Sequence, residues 1–155
     1  MTISKEKKDE VRVAASQASR RYQATRVVGV VLYDDNQYGA LIYGHSGSDL
    51  DDRKILIVKE HHNILGFRVA ELKKNNKKPS APDLAFKDAE VNVFNSAGQE
   101  CIYWKKSNIK PKAMYLHIIG PHPMCKSCKR LMKKFSQSFD LDISKIEVSH
   151  HQTAH

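Results

Sequence analysis

The chain has 155 residues, and its 26 lysines and arginines against 17 aspartates and glutamates give a formal net charge of +9 with histidines neutral. That length suffices for one domain over 1–155 that needs no disulfide staples, and 41% apolar with 28% charged residues excludes a disordered chain. No apolar run approaches the ~18 residues of a membrane span, and MTISKEKKDE lacks the apolar stretch of a signal peptide, so a protein acting in a cytoplasm with no membrane partner is expected.

In chain order, Val11, Ala14, Ala15, Ala18 and Tyr22 recur at helical spacing, mostly opposite Lys5, Lys7, Lys8, Arg12 and Arg20, which predicts an N-terminal helix reaching residue 22. RVVGVVLY (26–33) and YGALIY (38–43) read as strands of an antiparallel hairpin turning at Asp34-Asp35-Asn36-Gln37. HSGSDLDD (45–52) is a turn-rich loop. Residues 55–59 and 61–74 stay open between strand and helix, because ILIV fits a strand while Leu65, Val69 and Leu72 fit a helix. KKNNKKPSAPD (73–83) is a basic, polar connection.

Asp88 to Ala97 then reads as a short helix leaving at Asn95-Ser96-Ala97-Gly98. AMYLHII (113–119) is a near-continuous apolar strand of the kind buried on both faces. After Gly120-Pro121-His122-Pro123, Cys128, Leu131, Met132 and Phe135 keep the spacing of an amphipathic helix. Asp140 to Ser144 is a turn, KIEVS (145–149) a strand with Ile146 and Val148 on one face, and 150–155 a frayed tail. A strand–helix–strand sequence needs a crossover, so the last two strands should be parallel. The fold class is therefore α/β around a mixed sheet.

Two short motifs open the two helices expected on one face of that sheet: Asp88-Ala89-Glu90 and Pro123-Met124-Cys125-Lys126-Ser127-Cys128. Cysteines at i and i+3 of a helix start point the same way, and the helix N-terminus favours their thiolates. A catalytic zinc takes three protein ligands and leaves one position for water. Two thiolates plus one group from a neighbouring helix start meet that count, and a carboxylate two residues after the third ligand can reach the water without binding the metal. Taken singly, Asp88 reads as a helix cap, Glu90 as a first-turn acid and the C-x-x-C as a redox pair; the joint pattern favours the metal site.

This pairing resembles the zinc-dependent cytidine deaminase superfamily, with its H-x-E…P-C-x-x-C signature, and within it the deaminase domains of bacterial polymorphic toxins. The resemblance implies a three-layer fold, a mixed sheet with helices on both faces. It implies one zinc per chain held by Asp88, Cys125 and Cys128, with Glu90 as the proton shuttle of a hydrolytic deamination. The sequence departs from the pattern in carrying Asp88 where the superfamily usually has histidine and in displacing the proline by one residue. A carboxylate ligand makes the zinc more electron-rich and its water less acidic, so Glu90 and nearby lysines or backbone donors have to compensate. His122, three residues before Cys125, is the alternative third ligand.

The implied substrate is cytosine in nucleic acid, with DNA favoured; RNA and adenine fit the same motifs, and no substrate-binding residue is assigned. A toxin domain would be one end of a larger secreted protein delivered into a target cell, with an immunity protein as partner. The rivals are a deaminase of free nucleosides or nucleotides, a non-catalytic zinc-stabilised nucleic-acid-binding module and a thiol oxidoreductase. Lysines cluster at 73, 74, 77 and 78, at 105, 106, 110 and 112, and, with Arg130, at 126, 129, 133 and 134. A polyanion is the partner such charge suits best, a solvated face the plainer reading. His117 reads as a hydrogen-bonded core histidine, Cys101 as a small buried residue, and Trp104 as packing, with a base-stacking platform as its alternative. His61-His62 and His150-His151 have no partner at ligand spacing.

Overall fold

The computed structural model describes residues 2–19, 25–45 and 89–153. Period-two alternation along two long strands sets the architecture. In β1 (Arg26–Tyr33), Val27, Val31 and Tyr33 enter one apolar cluster while Val28, Val30 and Leu32 enter a second on the opposite face. In β3 (Pro111–Gly120), Met114, Leu116 and Ile118 join the first cluster, and Ala113, Tyr115 and Ile119 the second. A strand buried on both faces cannot alternate apolar with polar, which is why both read as continuous apolar runs.

With β2 (Ile42–His45) and β4 (Ile146–Gln152) these form one mixed sheet in the order β2-β1-β3-β4. β1 is antiparallel to both its neighbours, and β3 is parallel to β4, as the crossover requires. Helix α1 (Lys5–Ser19) covers one face through Val11, Ala14 and Ala15. Helices α2 (Ala89–Lys105) and α3 (Lys126–Ser138) cover the other, so the molecule is an α/β sandwich with helices on both faces of the sheet. Phe94 of α2 and Phe135 of α3 meet with ring centroids 5.5 Å apart. Such a pair contributes about 0.5–1.5 kcal/mol beyond the area it buries, and it ties together the two helices whose starts carry the motifs.

Three boundaries differ from those expected. Strand β2 begins at Ile42, not Tyr38; Tyr38 makes an isolated bridge to Leu32, and residues 39–41 leave the ladder before pairing resumes one residue out of step. Gly39 lies against the Glu100 carboxylate of α2, where a Cβ would collide with it. Helix α2 does not leave at Asn95–Gly98 but runs to Lys105, because Phe94, Ala97, Gly98 and Cys101 are buried and packing outweighs the turn-like composition. The turn after it closes at Asn108, whose φ of 62° is the left-handed conformation common after a helix. The tail expected from His150 is strand as far as Gln152, held by β3 and followed by a Thr153 N–H that donates to the Gly120 carbonyl. Helix α1 is described to Ser19 only, and the loop and open segments from residue 46 to Asp88 lie outside the described residues. Among the described residues no helix is long and apolar enough to cross a membrane.

Candidate active site

The motif-bearing helix starts converge at one end of the sheet. Strand β3 ends at Gly120, the chain bends through Pro121 and His122, and Met124 anchors the return by burying its side chain in the core. Cys125 is the N-cap of α3 and is exposed, its carbonyl accepting from the Lys129 N–H; Cys128, in the first turn, is fully buried. On the neighbouring side, Gly44 of β2 lies directly beneath the start of α2, where a Cβ would strike the Ala89 carbonyl oxygen. The absent side chain lets helix and strand backbones touch and sets the height at which Glu90 enters the core.

Glu90 is only 6% exposed. The Cys128 thiol donates to its Oε2 across 3.7 Å, a contact between residues 38 apart in the chain. The two sulfurs share the setting of a helix start. Both cysteines sit at the positive end of the α3 dipole, and no acidic residue occupies the first turn, where Lys126 follows Cys125 directly. A carboxylate buried to this degree without a partner would cost several kcal/mol, so its place beside a thiol and a helix start is a chemical arrangement and not a surface accident.

Three of the four residues assigned from the sequence are therefore brought to one corner: Glu90 and Cys128 in contact, and Cys125 on the same helix turn as Cys128. The fourth, Asp88, lies outside the described residues, as do His61 and His62 and the lysines at 73, 74, 77 and 78. His122 is exposed in the bend before α3, and among the described residues no three His, Cys, Asp or Glu side chains form a group that could hold a metal. The donor chemistry present fits zinc to the extent of two thiols from one helix turn with a non-ligating carboxylate alongside.

The other flagged residues fall away from this corner. His117 is buried and its Nδ1 lies 2.6 Å from the Ser149 hydroxyl, on the α1 side of the sheet. Burial, and after it Arg12, His151 and His150, holds His117 below the ordinary histidine range. His150 is engaged through Nε2 with the Gly120 carbonyl at 2.8 Å. Trp104 packs on Tyr33 with ring centroids 5.6 Å apart near the far end of α2, some ~21 Å of helix from Glu90, which overturns a base-stacking role beside the site. The cluster at Lys105, Lys106, Lys110 and Lys112 lies at that same far end. Gly44 was missed in the sequence; its only signal is a glycine next to a strand end, the mark of a close backbone approach. Asn95 was read as part of a helix exit, yet it is fully buried in α2 with neither amide atom hydrogen-bonded.

Comparison with known proteins returns no match: no family model fits the chain, and no curated protein is significantly similar to it.

Proposed function

We propose that this protein is a zinc-dependent hydrolase that deaminates a nucleobase in nucleic acid, with cytosine in DNA as the favoured substrate. The observation that carries the reading is the contact of Glu90 with Cys128, which sets a buried carboxylate against the C-x-x-C helix start. Cys125 and Cys128, with Asp88, the residue before Ala89 in the sequence, would hold the metal. When bound, zinc supplies Lewis-acid activation of a water molecule at neutral pH. Glu90 is the residue that takes a proton from the attacking water, then delivers protons to the ring nitrogen and to the departing amine. One water is consumed, the exocyclic amine leaves as ammonia, and an oxo group replaces it. Burial of Glu90 keeps solvent from competing for that proton, and as a group outside the ligand set its carboxylate serves the proton and not the metal. The wider resemblance adds a biological setting, a toxin domain delivered into a cell and countered by an immunity protein.

The test is incubation of zinc-replete protein with oligonucleotides covering cytosine and adenine, deoxyribose and ribose, and single and double strands, followed by sequencing, with free cytidine in parallel. Conversion of cytosine to uracil in DNA is expected. Conversion of free cytidine alone would transfer the chemistry to the nucleoside rival. No conversion of any base by metal-loaded protein would leave the non-catalytic zinc module as the better reading.

A further inference from the structure

Helix α3 carries its site on one side and a stripe of cations on the other. Lys126, Lys129, Arg130, Lys133 and Lys134 are all exposed, and the helix holds no acidic residue. At 100° per residue these positions fall within an arc of about 140° centred opposite Cys128, Leu131 and Phe135. Among the described residues none of the five enters an ion pair, whereas three of the four basic residues of α1 are paired, as Lys7–Glu10, Arg12–Asp9 and Lys8–Glu147. Like charges three and four residues apart on one helix repel each other, and among the described residues no acidic side chain offsets that repulsion on α3.

We propose that this face of α3 is a track for a nucleic-acid backbone, carrying the strand past the Glu90 corner; the inference rests on the reading of that corner as a nucleic-acid deaminase. From Lys126 to Lys134 the helix rises about 12 Å, so the five charges form a continuous stripe along its exposed face, the kind of surface that phosphate contacts use. A lipid surface suits the face poorly. An interfacial helix inserts its apolar side into the membrane, and here Cys128 and Phe135 are core residues against which Leu131 and Met132 pack. The track begins at Lys126, the residue after exposed Cys125, so a strand lying along it passes the helix start that carries both cysteines.

The experiment is fluorescence anisotropy of a labelled oligothymidylate, which offers phosphates but no cytosine, with zinc-replete full-length protein over a salt series. The expected slope of log affinity against log salt is about −3.5 for five single-strand contacts. Lys129→Gln with Lys133→Gln should weaken binding roughly tenfold near physiological salt and flatten the slope by about 1.4. Lys105→Gln with Lys106→Gln, at the far end of α2, should change neither; unaltered thermal melting checks that both pairs fold. Unchanged affinity in the α3 pair overturns the track even if DNA is deaminated. A weakened α3 pair with no deamination of any base leaves the track standing and removes the catalytic reading. Tighter binding to phosphatidylserine vesicles than to the oligonucleotide, lost in the α3 pair, would overturn the proposal in favour of a membrane.

Discussion

A glutamate of helix α2 meets a buried thiol towards each end of the helix, Cys128 of α3 at one and its own Cys101 at the other, and the two ends differ in what surrounds them. At the C-terminal end the Tyr33 hydroxyl donates to Glu100 at 2.6 Å and lies 3.7 Å from the Cys101 sulfur. Burial pushes the Cys101 thiol up to about 12, and burial likewise raises Glu100 above the ordinary carboxyl range against the pull of the Tyr33 hydrogen bond. This end lies where the helix dipole disfavours negative charge, and it offers one sulfur with no second beside it. At the N-terminal end Glu90 meets Cys128 at the positive end of α3, with exposed Cys125 three residues away. A buried thiol near an acid is therefore common to both ends. A second thiol, an opening to solvent and a dipole of the right sign distinguish one end from the other.

The sharpest way to break that contrast is to remove each carboxylate in turn. Glu90→Ala should lower deamination by about 10²–10⁴-fold, the range typical of a positioned proton shuttle, while leaving the fold intact. Glu100→Gln, which preserves the shape that Tyr33 contacts, should leave deamination unchanged. Equal loss in both variants, read against their melting curves, would show that the two ends matter only as structure.

The far end should instead reveal itself in stability. Tyr33→Phe removes the donor to Glu100 and is expected to cost about 1–3 kcal/mol, seen as a lower denaturant midpoint. Its pH dependence has a definite sign. A carboxyl whose folded pKa is raised favours the fold when protonated, so its contribution is complete below the ordinary value near 4.5 and fades as pH rises through the folded value. The hydroxyl stabilises the carboxylate, so Tyr33→Phe should make that fading steeper. Parallel stability profiles in the two proteins would contradict the hydrogen bond.

The contrast was half legible from sequence. The C-x-x-C at a helix start and an acid two residues into another helix are local patterns, and β1, β3 and the amphipathic α3 announce themselves through runs and spacings that burial dictates. The Tyr33–Glu100–Cys101 group was invisible because residues 67 and 68 apart meet only after β1 and α2 have packed. The length of α2 was misread for a related reason: Asn95, Ser96 and Gly98 carry turn composition, and only the packing of Ala97 and Cys101 in the core carries the helix through them. β4 was cut short because His150, His151 and Gln152 are polar. On an edge strand the backbone ladder with β3 holds such residues without help from their side chains.

Zinc content measured by elemental analysis of freshly purified, unchelated full-length protein bears most directly on the difference between the two thiol sites. Close to one zinc per chain is expected for the unaltered protein, for Glu90→Ala and for Cys101→Ser, with loss of the metal in Cys125→Ser and Cys128→Ser. Metal-free unaltered protein, or a Cys128→Ser variant that keeps its zinc, would contradict the assignment of this corner as a metal site.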